Sequence, residues 1–115
     1  MIRQKQHIIN LIRQKVNEID NTAEVILYGS RARGDNKHDS DWDVMILLNK
    51  KNVDKKVEQT FRHHLLDIEL EIGVPISVFV YSKSDWEGKY SVTPLFRSIK
   101  KEGILIPWLK IKTII

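Results

Sequence analysis

"LYGSRARGDNKHDSDWDVMILL", residues 27–48, decides how this chain folds. Residues 23–28 are a short run rich in Val and Ile that stops at Gly29, and residues 42–48 are a second such run. Each has the length and composition of a buried strand rather than a helix. Between them, two glycines and a cluster of Asp, Asn and Ser predict a loop with a functional role, with one helical turn over residues 30–33.

The flanking segments supply helices. Ile8, Ile9, Ile12, Val16 and Ile19 recur at spacings that place them on one face of an amphipathic helix over residues 2–19, which Asn21 and Thr22 end. Val53, Val57, Phe61, Leu65, Ile68 and Ile72 mark a second, opening after Asn52 and closing at Gly73. Pro75 introduces a third strand over residues 76–81, and a loop over residues 82–91 follows. Thr93 as N-cap, Pro94 at the first helical position and Gly103 behind them predict a short helix. Residues 104–106 read as a last short strand before Pro107. The expected fold is α+β, a small mixed sheet with helices packed on it, in a single domain over residues 1–115.

Composition narrows the chemistry. A chain of 115 residues that is 42% hydrophobic can bury a core without staples. There is no cysteine, so disulfides, thiolate catalysis and cysteine-held metals are excluded, and any metal must be held by oxygen or imidazole. No apolar run reaches membrane-spanning length, and Arg3, Lys5, Arg13 and Lys15 interrupt the first segment, unlike a signal peptide. The expected location is cytoplasmic. The net charge is +4, but the lysines are spread along the chain, which favours a solvated surface over a nucleic-acid interface.

The loop holds the reactive groups. Side chains alternate along a strand, so Asp41 and Asp43 share a side while Trp42 points the other way into the core. Two neighbouring carboxylates repel unless a cation or hydrogen-bond donors lie between them. Magnesium fits, because it prefers oxygen ligands and keeps positions open for water and phosphate. Gly29 lets backbone amides approach a phosphate, the turn after it adds unpaired donors, Ser30 adds a hydroxyl, and Arg31 or Arg33 can offset phosphate charge. Alone, a Gly-Ser turn or an Asp-x-Asp at a strand entrance is usually structural. Their order on two successive strands favours a metal and triphosphate site. A calcium loop opening at Asp39 is rejected, since Val44 and Lys50 stand where glycine and glutamate are needed.

Gly29-Ser30, ten residues, then Asp41-x-Asp43 resembles the signature of the nucleotidyltransferase superfamily that includes DNA polymerase beta, specifically its minimal single-domain members. The resemblance covers residues 23–48, with the general plan continuing to Tyr81. It implies that Gly29 and Ser30 hold a nucleoside triphosphate and that Asp41 and Asp43 bind magnesium. It also implies attack of an acceptor hydroxyl on the α-phosphate, with release of pyrophosphate. Family members commonly carry a third carboxylate on the next long strand, where "VPISVFVY" offers Ser77 instead, and this departure bears on activity. Glu69 and Glu71, on the preceding helix, read as helix surface.

A single domain leaves one wall of the cleft to be completed by something else. Minimal members resemble antitoxins whose partner is a helical nuclease of the HEPN type, implying transfer of AMP from ATP to a partner tyrosine. The apolar residues Trp108, Leu109, Ile111, Ile114 and Ile115 suit either a docking surface or the domain's own core, the latter slightly favoured. Two alternatives stay open: an aminoglycoside-like small-molecule enzyme, for which a homo-oligomer would have to share the site, and a non-catalytic nucleotide-binding or interaction module. His63 and His64 are adjacent on a helix and share no metal face, so surface or packing roles are expected. Trp86 and Tyr90 suit base stacking or packing at the domain edge, with packing favoured.

Overall fold

A computed structural model describes residues 2–107. The apolar segment from Trp108 to Ile115, whose docking role the sequence leaves open, lies outside the described residues. The elements run α1 (Ile2–Ile19), β1 (Glu24–Tyr28), α2 (Ser30–Arg33), β2 (Trp42–Leu48), α3 (Lys55–Ile72), β3 (Ile76–Ser82), α4 (Lys83–Glu87), α5 (Pro94–Glu102) and β4 (Ile104–Ile106). The fold is α+β.

The four strands form one mixed sheet in the order β3-β2-β1-β4, with β2 parallel to β3 and antiparallel to β1, and β4 antiparallel to β1. From Val44 to Leu48 every residue of the inner strand β2 is buried, because both sheet faces are covered there, and this is why its sequence is continuously apolar rather than alternating. On one face, Leu27, Val44, Ile46, Val78 and Val80 meet Ile12 and Val16 of α1 and Phe61 and Leu65 of α3. On the other face, Met45 and Leu47 meet Trp86 of α4 and Ile99 of α5. Trp42 is buried with the α1 and α3 layer, as strand alternation requires.

Helix ends follow local chemistry. The Asp54 carboxylate accepts from the Val57 amide at 3.0 Å, so α3 starts at Lys55 rather than directly after Asn52. Such a cap stabilises a helix by about 1 kcal/mol. Gly73, at φ 74°, ends it in the left-handed conformation that glycine adopts without strain. The expected loop over residues 82–91 contains α4, which the Ser82 hydroxyl caps by accepting from the Asp85 amide at 3.0 Å. A helix of five residues is too short to show a hydrophobic period, which is why the sequence reads as loop there. Strand β1 begins at Glu24, one residue after the expected start, and β3 runs one residue further, to Ser82.

Candidate functional site

Gly29 and the first turn of α2 follow β1 directly, at the end of the sheet where β2 begins. Gly29 has φ 73° and ψ −159°, a region that essentially only glycine occupies. A Cβ placed on it would run into the Asp43 carboxylate. Conformation and space therefore both require glycine here. The Ala32 and Arg33 amides bond back to the Gly29 carbonyl, each at 3.0 Å. The Ser30 and Arg31 amides, immediately before them, donate to no backbone carbonyl among the described residues. They are the free donors a helix start offers.

Asp43 lies between two neighbours in the sheet register, Tyr28 on β1 and Ser77 on β3. Paired residues share a face, so the phenol, the carboxylate and the serine form one row across three strands. Asp41, just ahead of the strand, joins that row through the Ser77 hydroxyl, which donates to its Oδ2 at a long 3.4 Å. Asp41 is exposed and Asp43 half-buried. Burial first, then repulsion from Asp41, pushes the Asp43 carboxyl above its usual range, and Arg33 partly opposes this. Tyr28 is pushed the same way, by burial and then by Asp43. The negative field of the two aspartates is thus only partly compensated by the chain itself. The donor set fits magnesium, which takes one or two carboxylates from protein and fills its remaining positions with water and phosphate oxygens.

The two arginines have defined partners. Arg31 donates through Nε and Nη2 to the Ser40 carbonyl at 3.1 and 2.7 Å and through Nη2 to that of His38 at 3.1 Å. Its guanidinium also lies 4.5 Å from the centre of the Trp42 ring. It clamps the ten-residue loop onto the core immediately before Asp41. Arg33 pairs with Asp35 at 3.1 Å and with Glu102 of α5 at 3.0 Å, mostly in solvent. Exposed pairs of this kind are worth less than about 1 kcal/mol, so Arg33 is free to change partner.

A cavity of about 680 Å³ opens on the opposite side of the loop, among Lys5, Arg31, Trp42 and Ile72. Neither aspartate lines it, and the carboxylate row faces open solvent instead. Glu69 is committed elsewhere, its Oε1 accepting from the Ile76 amide at 2.7 Å. His64 meets Glu18 across the α1–α3 seam at 2.7 Å, and His63 is exposed. Trp86 is buried in the second core cluster, and Tyr90 packs against it.

Residues 9–106 match the family model of the nucleotidyltransferase domain. The chain belongs to the nucleotidyltransferase family. A comparison with curated proteins finds no match. The row of side chains thus lies in a nucleotidyltransferase-family domain. Two members of its surroundings are not evident from the motif. Tyr28 stands immediately before Gly29, and the period of two that pairs Asp43 with Asp41 gives no hint of the neighbour on β1. Glu102 is distant in sequence from Arg33, and only the packing of α5 brings it there.

Proposed function

We propose that this protein moves a nucleoside monophosphate, AMP from ATP, onto an acceptor hydroxyl in a magnesium-dependent reaction. The observation that carries the reading is the shared space at Gly29. The glycine that opens α2 is also the gap that the Asp43 carboxylate fills, so phosphate donors and metal ligand are built as one unit. The Ser30 and Arg31 amides and the Ser30 hydroxyl are assigned to the triphosphate. Asp41 and Asp43 are assigned to magnesium. Arg33 is assigned to the phosphates after exchange from Asp35 and Glu102, and Arg31 supports the loop while adding positive charge nearby. When bound, magnesium supplies charge neutralisation on the transferring and leaving phosphates.

The chain's own groups bind and orient; they do not include a third carboxylate, because Ser77 holds that place in the row. A serine hydroxyl does not take up a proton at neutral pH, so Ser77 is not the base that receives the acceptor's proton. This suits an acceptor that comes with its own chemical surroundings, and a tyrosine on a helical HEPN-type partner protein meets that need. The antitoxin role follows from such a partner. Ser77 equally favours a second reading, a module that binds nucleotide without turnover.

The two readings separate in one experiment. Lysate proteins are incubated with the protein, magnesium and ATP labelled at its α-phosphate, and labelled bands are analysed by mass spectrometry. Transfer predicts a labelled tyrosine on a small helical protein that disappears with Asp41→Asn. Nucleotide binding without any labelled acceptor or pyrophosphate release supports the non-catalytic module.

A further inference from the structure

We infer that Phe79 is the platform on which the base of the bound nucleotide stacks. The inference rests on the assignment of Gly29 and Ser30 to the phosphates and of Asp41 and Asp43 to the metal. Phe79 pairs in register with Met45, two positions along from the Asp43–Ser77 pair. Side chains two positions apart share a face, so Phe79 lies on the same side of the sheet as the carboxylates. Two residues of strand span about 6.6 Å, so Phe79 stands that far along β3 from Ser77.

The ring is presented, not packed away. Met45, its neighbour on β2, is completely buried, whereas Phe79 is 41% exposed. It leans on Tyr81, with centroids 6.4 Å apart, and Tyr81 is in turn held by Trp86 at 5.5 Å and Tyr90 at 5.1 Å. Phe79 touches one ring, Tyr81, which two others hold in place, and the exposed part of its ring remains on the sheet face that carries the row of reactive groups. On an edge strand such a ring is a liability unless something covers it.

Direction supports the same occupant. On this face the space over β1 is taken by α5, since Ile26 packs in the cluster of Ile99 and Gly103 lies against it. A nucleotide whose phosphates lie at Gly29 therefore extends the other way, across β2 towards the edge strand β3. Phe79 is the large exposed apolar side chain on that path. Stacking on a ring without hydrogen-bond readout is tolerant of base identity, so purines are preferred over pyrimidines by area and little else.

The test is isothermal titration of the full chain with magnesium plus ATP and, separately, magnesium plus inorganic tripolyphosphate, a probe with no base. Phe79→Ala should weaken ATP binding about tenfold or more, as loss of one stacking contact does, and leave tripolyphosphate binding unchanged. Phe79→Trp should restore it. Phe79→Leu keeps an apolar side chain without a π-face and should resemble Phe79→Ala, which guards against a loss of folding. If the wild type binds both probes and Phe79→Ala binds ATP as tightly as the wild type, the base lies elsewhere and the phosphate assignment survives. An equal loss of both probes makes Phe79 a structural residue and overturns the inference. A wild type that binds neither probe overturns the phosphate assignment and the inference together.

Discussion

The backbone of Gly29 and the carboxylate of Asp43 occupy adjoining halves of one space, so that a methyl group on the first would displace the second. They are neighbours because Tyr28 and Asp43 pair across β1 and β2, which places the residue after Tyr28 against the start of β2. Gly29→Ala should therefore do two things at once. It forces a side chain into a region of backbone space that costs about 1 to 3 kcal/mol, and it pushes Asp43 out of the row. Urea unfolding should register the loss of stability, and magnesium–ATP titration a loss of binding larger than stability alone explains.

Without metal, Asp43 is a cost to the fold. Its carboxyl is held above the usual range by burial and then by Asp41. The folded state therefore keeps a proton that the unfolded chain has already released, and stability falls as pH rises from the ordinary carboxyl value of 3.8 through the raised one. Above that window the loss is complete. Asp43→Asn should accordingly melt at a higher temperature than the wild type at pH 7 in the absence of magnesium, and the advantage should shrink on acidification. Thermal melts at both pH values check this.

Arg31 illustrates a clamp that lysine cannot copy. Its planar group bonds two carbonyls of the loop while stacking on Trp42. A lysine offers one point charge without the fork. Arg31→Lys should lower stability by about 1 kcal/mol and slacken the approach to Asp41. A reduced melting temperature together with weaker magnesium–ATP binding is the expected outcome. Unchanged nucleotide affinity would show that the clamp does not position Asp41.

Ser77→Asp places a third carboxylate beside Asp43 in register and within reach of Asp41. In the absence of metal the added repulsion should lower the melting temperature. With magnesium and ATP the variant should bind metal more tightly and release pyrophosphate faster than the wild type. Tighter metal binding with no gain in turnover would point to the non-catalytic reading.

Much of the scaffold is legible in the sequence because it rests on local signals. The apolar spacing of Ile8, Ile12 and Val16 gives α1, and Thr93, Pro94 and Gly103 bracket α5. The motif residues are legible for a similar reason, as Gly29 and Asp41-x-Asp43 sit at strand ends that the pattern defines. What is not legible depends on strand partners. The place of Ser77 beside Asp43 is suggested by the family resemblance, not by the pattern, and nothing in a run of alternating residues says that Phe79 is level with a buried Met45. The double role of Arg31 is hidden likewise, because its partners are main-chain carbonyls and an aromatic face. Residue type marks Arg31 as a cation; only the folded loop makes it a clamp.

The central claim is that Asp41 and Asp43 hold the metal for nucleotidyl transfer, and pyrophosphate release from magnesium–ATP in the presence of lysate acceptors measures it most directly. The account predicts release by the wild type that is abolished by chelation of magnesium and by Asp41→Asn or Asp43→Asn, with both variants still folded. Release at the wild-type rate by folded Asp43→Asn would contradict it.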